Sequence, residues 1–455
     1  MQPPDAFVTD TDVRPTSSHI ASDDHAPAPY QRAYGVLTGW AATSFAVILG
    51  FSRLSYGLLL PALRANLHGS YTVFGRVGTA NLAGYLVGTL LVPFVAARAR
   101  DRVRLNTLAI IAMSLAMIAS ATSVTVTQLG VWRLLVGIAS APATVLTIAL
   151  TFERIAPTER GRASGMIWMG GAAGIVASGL LAPFVVGTGA SPMWRLVWAA
   201  MGGVGIVAAF GLRRTLRASP VPGAANEAGS VASRCAALDA ESEKAQRLDG
   251  QGHGVRTGVE VPTMWGATLA NLVRPRGLLA LTLAYAAFGG GYIIYFTFFI
   301  ALVQRQGLPS VFTGLVWSAL GLAGAVGGLL WGRAIDRRPT GFTLAAALAL
   351  SAVGALGVTG IAADGIGALL IGSASIGVPT MFTALLQRAV PAARYTASLS
   401  LITAALALGQ MVGPLVGGAI ADAHGLKVAT ASAAVSLALA ALLAAVYGSI
   451  QRTRA

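Results

Sequence analysis

Residues 277–303 read GLLALTLAYAAFGGGYIIYFTFFIALV, a long apolar run without a charged side chain. About 20 mainly apolar residues suffice to cross the roughly 30 Å hydrocarbon core of a bilayer as an α-helix. The run lies between Arg276 and Arg305, whose charges mark its ends. Similar runs recur along the chain, the first at 34–61 and the last at 427–449. The sequence therefore predicts an all-α integral membrane protein with twelve transmembrane helices.

The composition of the whole chain excludes several classes of protein. The chain has 455 residues, of which 55% are hydrophobic and 11% are charged, whereas ordinary soluble domains carry about 25% charged residues. The formal net charge is +15, but the basic residues are dispersed between apolar runs, so we expect no nucleic-acid partner. Cys235 is the single cysteine. With no nucleophile–base or metal-ligand cluster in the sequence, we expect neither an enzyme, nor a metal site, nor a cofactor.

The distribution of the basic residues predicts the orientation. They concentrate in alternate loops, at 98–104, 213–276 and 333–338. Loops rich in Lys and Arg lie on the cytoplasmic side of a membrane, so both termini are predicted to be cytoplasmic. The opposite face has only Arg64, Arg76, Arg195, Arg305 and Lys427.

Polar stretches divide the chain into five predicted parts. The long stretch in the middle is rich in Ser, Ala, Gly and Glu, as is typical of a mostly disordered linker, and its end, 264–273, is a candidate interfacial helix. The parts are a disordered cytoplasmic tail at 1–33, an N-terminal six-helix half at 34–212, a cytoplasmic linker at 213–276, a C-terminal six-helix half at 277–449 and a cytoplasmic tail at 450–455.

The two halves resemble each other at an offset near 240. The segment 50–56, GFSRLSY, lies opposite 289–295, GGGYIIY, and Leu82-Ala83-Gly84 lies opposite Leu322-Ala323-Gly324. Shared order at a near-constant offset indicates an internal duplication. Parallel repeats of this kind place a substrate site near the bilayer midplane, between the halves.

Two motifs resemble those of the major facilitator superfamily of secondary transporters. Trp132-Arg133-x-x-x-Gly137-x-x-x-Ala141 resembles its arginine motif on helix 4, and Gly332-x-x-x-Asp336-Arg337-Arg338 resembles its helix 8–9 loop motif. The resemblance implies two halves that rock about a central site, with gating or motif roles for Arg133, Gly137, Asp336 and Arg337. The matching loop, Asp101-Arg102-Val103-Arg104, keeps the charges without the flanking glycines.

A narrower resemblance involves the segment 50–61 and the segment 81–88. Together with 291–295 and 409–414, they are similar to the bacterial YbfB-like branch of the superfamily. This resemblance implies a multi-pass protein of the bacterial inner (cell) membrane and supplies no substrate.

The charges inside the predicted spans indicate the chemistry of the site. We assign Asp101, Asp336, Asp364 and Asp422 to loops, so no acid is predicted at the midplane, and the only charged residues within spans are Arg53 and Arg133. Without a buried acid, the natural counter-ion of a guanidinium is an anionic ligand, bound through bidentate hydrogen bonds. The predicted substrate-binding residues are Arg53, Tyr56, Asn81, Tyr85, Tyr292, Tyr295 and Gln410.

Alternatives remain at this stage for both arginines and for the function. Arg53 either contacts the ligand or is structural, bonded to backbone carbonyls or to Asn81, and Arg133 serves either the ligand or gating and helix contacts. The favoured function is alternating-access symport or antiport of a small organic anion, such as a mono- or dicarboxylate, by a monomer. One alternative is efflux of lipophilic or drug-like compounds, and another is a non-transporting membrane receptor or scaffold.

Overall fold

The computed structural model describes residues 28–156, 159–185, 193–219, 277–356 and 361–453. In this part of the chain there are twelve helices. Eleven are long and apolar enough to cross a membrane, and the remaining one, Gly341–Leu356, is a shorter apolar helix. The prediction of twelve spans in an all-α protein is confirmed. The predicted interfacial helix at 264–273, most of the linker and most of the N-terminal tail lie outside the described residues.

Helix α1 has three segments, the α-helical Ala28–Phe45, the π-helical Ala46–Leu54 and the α-helical Ser55–Leu67. The other helices of the N-terminal half are α2 Tyr71–Arg98, α3 Arg102–Ser120, α4 Val126–Phe152, α5 Arg160–Val185 and α6 Met193–Ala218. Those of the C-terminal half are α7 Leu278–Arg305, α8 Ser310–Arg337, α9 Gly341–Leu356, α10 Ile361–Ala389, α11 Ala392–His424 and α12 Leu426–Arg452.

Short polar side chains begin several helices of the N-terminal half. Ser70 accepts a hydrogen bond from the backbone N–H of Val73, and Thr125 accepts one from that of Gln128. Each satisfies an N–H group that the first turn of a helix leaves without a partner. These caps explain why α2 and α4 begin where they do, between the polar loop and the apolar span.

The helices extend beyond their apolar runs. Helix α1 begins at Ala28, inside the predicted tail, and α6 continues to Ala218, inside the predicted linker. The assignment of Asp336, Asp364 and Asp422 to loops is wrong, because all three lie in end turns of helices. Hydropathy detects the part of a helix that lies in hydrocarbon, whereas its end turns are in a polar environment that tolerates carboxylates.

Equivalent glycines of the two halves occupy equivalent helix contacts. A Cβ on Gly84 of α2 would collide with the backbone of α4, and one on Gly324 of α8 would press on the backbone of α10 at Gly372. Helix α1 likewise approaches α5 at Gly50 and Gly174. Close approach at glycine is how transmembrane helices pack in the absence of a hydrophobic drive. The contacts agree with the predicted duplication.

The halves meet at one end of the bundle. The end of the bundle at which α1 begins is called the terminal face. The other end, at which α1 connects to α2, is called the opposite face. Toward the opposite face, the Trp317 indole donates to Ser178 Oγ at 3.0 Å, and Thr79 Oγ1 donates to the Met411 carbonyl at 2.8 Å. In the described residues, no hydrogen bond or ion pair joins the halves near the terminal face. The arrangement is therefore closed at the opposite face.

Candidate substrate-binding site

The π-helical segment of α1 shapes one side of the space between the halves. The Ser55 N–H and the Ser55 Oγ both donate to the Gly50 carbonyl, the second at 2.8 Å, which is the i to i+5 spacing of a π-helix. Ser52 Oγ donates to the Ile48 carbonyl at 2.6 Å. Short π-helical insertions are rare and occur frequently at functional sites. Arg53 lies near the end of this segment.

Arg53 is a partly exposed cation of the N-terminal half within the bundle. Its side chain is half-buried, and its guanidinium carbon lies 3.8 Å from the centre of the Tyr85 ring on α2. In the part of the chain that the structure describes, this guanidinium donates no hydrogen bond and forms no ion pair. A cation–π contact leaves all its N–H groups available. The structure thus brings together Arg53 and Tyr85, two of the predicted site residues.

Tyr292 and Gln410 face this cation from the C-terminal half. Gln410 Nε2 donates to the Tyr292 hydroxyl at 2.6 Å. The Tyr292 ring stacks on Phe288 at 4.9 Å and meets Phe296 edge-on at 5.7 Å. The Tyr292 side chain lies within electrostatic range of Arg53, across the gap between the halves. Helices α1, α2, α7 and α11 therefore contribute one guanidinium, two phenols and one amide to a common space.

Three other predicted site residues are occupied elsewhere. The Tyr56 hydroxyl donates to the Phe74 carbonyl at 2.6 Å, and Asn81 Nδ2 donates to the Arg133 carbonyl at 2.9 Å. Tyr295 is 1% exposed and stacks on Phe299 at 4.4 Å. All three are buried in contacts within one half of the bundle.

Arg133 of α4 is buried, with 1% exposure. Its Nη1 donates to the Ser52 carbonyl at 2.6 Å, and its guanidinium carbon lies 5.1 Å from the Tyr56 ring and 5.4 Å from the Trp198 ring. One turn further along α4, a Cβ on Gly137 would collide with the Asn81 carbonyl oxygen. Of the two predicted arginines, Arg133 therefore donates a hydrogen bond to the backbone, whereas Arg53 makes no hydrogen bond among the described residues.

The motif residues of the C-terminal half, Asp336 and Arg337, lie exposed at the terminal face. The corresponding loop of the N-terminal half is engaged, because Asp101 pairs with Arg217 at 3.0 Å. The backbone N–H of Arg104 and the Arg217 guanidinium lower the pKa of Asp101. The two halves differ at this face, since among the described residues Asp101 forms an ion pair with a helix of its own half and Asp336 forms none.

Sequence reasoning missed a contact that closes the opposite face. Asp422 of α11 accepts hydrogen bonds from the backbone N–H groups of Tyr71 at 2.8 Å and Thr72 at 2.7 Å, at the start of α2. A carboxylate is well placed at a helix N-terminus. The Tyr71 ring also lies 3.6 Å from the Arg64 guanidinium carbon and 5.7 Å from that of Arg305. No sequence signal marks this contact, because the donors to Asp422 are backbone N–H groups.

These features define a polytopic helical membrane protein in which two pseudo-symmetric halves enclose a polar site. The sequence model of the Major Facilitator Superfamily matches residues 42–402 of the chain. The chain belongs to this superfamily and is a secondary transporter and not an enzyme. No curated protein matches the chain.

Several solved transporters share the fold. A bacterial homologue of the human lysosomal transporter Spinster, in an inward-facing and occupied conformation, is 16% identical with a TM-score of 0.68, over 93% of this chain and 97% of that one. The nucleoside transporter NupG is 12% identical with a TM-score of 0.67, over 91% and 99%. A D-xylose–proton symporter is 16% identical with a TM-score of 0.64, over 89% and 97%. At these identities the likeness concerns the fold alone.

Proposed function

We propose that this transporter carries a small organic anion and that Arg53 binds its negative group. The observation that carries the proposal is the half-buried Arg53 guanidinium, which has a ring beneath it and no acidic partner among the described residues. An uncompensated cation within the hydrocarbon region is costly. A carboxylate ligand would offset that cost by accepting two parallel N–H bonds.

The residues around Arg53 suit the rest of such a ligand. Tyr85 and Tyr292 present ring edges and hydroxyls, and Gln410 offers an amide. Phe288 and Phe296 extend the ring surface behind Tyr292. Apolar walls with a few placed polar groups are the usual make-up of a small-molecule site. We therefore favour an anion with a compact or aromatic body. Tyr56, Asn81 and Tyr295 support the site from behind.

The transport cycle follows from the contacts between the halves. The arrangement closed at the opposite face exposes the Arg53 site toward the terminal face. Outward opening would break the Asp422 contact with the start of α2. We place the terminal face in the cytoplasm, on the distribution of the basic residues, in a bacterial inner membrane. A monomer of the YbfB-like branch, with a polar tail before α1 and a cytoplasmic linker between α6 and α7, completes this proposal.

Efflux of lipophilic compounds is a second candidate, because a cluster of five rings lies behind the half-buried Tyr292 and includes it. Tyr285 stacks on Phe382 at 4.1 Å, next to the run of Phe288, Tyr292 and Phe296. If this candidate is right, Arg53 is structural and a neutral or cationic compound binds beside these rings. A receptor that binds its ligand without moving it is the third candidate.

A panel of compounds separates these candidates. Purified protein is melted in the presence of acetate, benzoate, succinate, glucose or tetraphenylphosphonium, and any stabilising compound is then tested for flux into proteoliposomes. The proposal expects a carboxylate to raise the melting temperature and to cross the membrane. Stabilisation by tetraphenylphosphonium without any effect of carboxylates would contradict it. Binding without flux would favour the receptor.

A further inference from the structure

We infer that Arg133 is a positioning residue for Arg53, because it holds the π-helical segment of α1 in the form that places Arg53 against Tyr85. The consequence for transport rests on the proposed function of Arg53. The geometric part does not, and it is tested separately. Arg133 and Arg53 belong to different helices, and the link between them is the backbone of Ser52, the residue immediately before Arg53.

The bond to Ser52 lies where the π-helical segment returns to an α-helix. In a π-helical segment N–H groups donate to the carbonyl five residues earlier, and in an α-helix to the carbonyl four residues earlier. Where the pattern returns from five to four, one carbonyl is passed over; after the bond from the Ser55 N–H to the Gly50 carbonyl it is that of Phe51, the neighbour of Ser52. Arg133 Nη1 supplies a donor to the Ser52 carbonyl at 2.6 Å, two residues before the π segment ends at Leu54. The guanidinium therefore stabilises the end of the π segment.

The position of Arg133 is itself set by α2. Asn81 Nδ2 donates to the Arg133 carbonyl at 2.9 Å, and Gly137 lets α4 lie directly against the Asn81 backbone. The Tyr56 ring covers the guanidinium at 5.1 Å. Arg133 Nε has no hydrogen-bond partner. A buried cation of this kind is costly, and the bond to Ser52 is the hydrogen bond that its side chain makes among the described residues.

The C-terminal half offers a natural comparison without the arginine. Aligning Pro142 of α4 with Pro379 of α10 places Leu370 opposite Arg133. Helix α7, the counterpart of α1, is a regular α-helix from Leu278 to Arg305. The half that has the arginine has the π segment, and the half that lacks the arginine lacks the segment. This correlation is independent of the hydrogen bond.

Losing the π segment would redirect Arg53. Each residue of an α-helix advances about 100° around the axis, so removing a one-residue insertion rotates the neighbouring side chains by about that angle. Arg53 would then leave the Tyr85 ring. Arg133 thereby acts on the site through the backbone and not through contact with the ligand.

Cysteine reactivity tests the geometric part without any substrate. Cys235 is the single cysteine, so Cys235→Ser gives a cysteine-free parent into which Arg53→Cys is introduced. The reporter is labelled with the anionic 2-sulfonatoethyl methanethiosulfonate, and the labelling rate is compared in proteins with Arg133→Leu, Arg133→Gln and Arg133→Lys. We expect the Leu and Gln variants to change the rate at least roughly fivefold, and Lys, which keeps a donor, to restore it in part.

Arg195→Leu is the matched control. Arg195 Nη1 also donates to a backbone carbonyl at 2.6 Å, that of Ala121, which is not part of the π segment. It should lower the melting temperature without changing the labelling of the cysteine at position 53. An unchanged rate in a folded Arg133→Leu protein would overturn the inference. If that variant does not fold, an unchanged rate in Arg133→Gln has the same meaning.

A binding cycle then tests the consequence for the site. With benzoate as probe, Arg133→Gln should weaken binding in the protein that retains Arg53 and have no further effect in Arg53→Gln. Additive losses would overturn the positioning role. If Arg53→Gln binds benzoate as the parent does, the proposed function fails, while the labelling result still decides whether Arg133 sets the backbone of α1.

Discussion

Helices α1 and α7 occupy equivalent places in the two halves and present different chemistry from the same positions. In the repeat, Arg53 corresponds to Tyr292 and Tyr56 to Tyr295. Arg53 and Tyr292 are half-buried and face the space between the halves, whereas Tyr56 and Tyr295 are buried, with 3% and 1% exposure. In each of the two helices, therefore, the first of these positions faces the site and the second, three residues further on, packs within its own half.

What differs is the local backbone. Helix α7 presents a neutral phenol from a regular α-helix, and α1 presents a guanidinium from a π-helical segment braced by Arg133. A neutral side chain requires no special backbone, since it can meet a neighbouring amide such as Gln410. A cation in the membrane requires both orientation and a counter-ion. The proposed anion site depends on this asymmetry, and substitutions in both halves test it.

The largest effect is expected at Arg53. Arg53→Lys keeps the charge and loses the planar fork, so a bidentate carboxylate contact becomes a single one. Losing one charge-assisted hydrogen bond costs about 1.5–3 kcal/mol, which corresponds to a roughly tenfold to hundredfold loss of affinity. Carboxylate uptake into proteoliposomes measures it. Arg195→Lys serves as control and should retain uptake. Equal uptake by both variants would assign Arg53 a structural role.

A smaller effect is expected on the C-terminal side of the site. Gln410→Leu removes the donor to the Tyr292 hydroxyl and leaves the phenol free to rotate its hydroxyl. The loss of one neutral hydrogen bond is about 1 kcal/mol, so affinity for the transported anion should fall roughly fivefold. Titration of the thermal shift against ligand concentration measures this. A loss as large as that of Arg53→Lys would mean that the two halves contribute alike.

The two tyrosines of α7 separate a site position from a packing position. Tyr292→Phe should weaken anion binding by a few fold, because its hydroxyl pairs with Gln410 and lies within electrostatic range of Arg53. Tyr295→Phe should leave binding within about twofold, because Tyr295 is buried against Phe299. Both variants are compared by the same titration. A stronger effect at Tyr295 would reverse the assignment.

The smallest effect concerns the loops at the terminal face, where the halves also differ. The pKa of Asp101 is lowered by the backbone N–H of Arg104 and by Arg217. A carboxyl with a lowered pKa in the folded state stabilises that state at pH values above the ordinary aspartate range of about 4. This stability is lost as the pH falls through the lowered value. Melting curves of wild type and Asp101→Asn should therefore converge on acidification, and a constant gap would contradict this.

The sequence predicts the helices well and their ends poorly. Long apolar runs reveal each span because hydrocarbon excludes charge. End turns are polar, so Asp364 and Asp422 look like loop residues although they belong to α10 and α11. Asp364 is even buried, with 1% exposure. Its hydrogen bond from Gln306, the residue after α7, joins segments that are distant in sequence.

The site is predictable only in part, because a sequence shows which residues are polar and not which groups they contact. Arg53 is conspicuous as a charge within a span, and the repeat identifies Tyr292 as its counterpart. The π segment is not encoded by residue type, since it depends on Arg133 reaching a backbone carbonyl of another helix. The same holds for Tyr56 and Asn81, whose polar groups also bond to backbone. Polar residues within spans are visible in sequence, but whether they face a ligand or the backbone is not.

The most direct test of the central claim is the stabilisation of the purified protein by a carboxylate before and after removal of the Arg53 charge. Arg53→Gln retains similar length and hydrogen-bonding groups without the cation. The anion proposal predicts that benzoate raises the melting temperature of the wild-type protein and leaves that of Arg53→Gln unchanged. Equal stabilisation of both proteins would contradict the claim that Arg53 binds the negative group of the substrate.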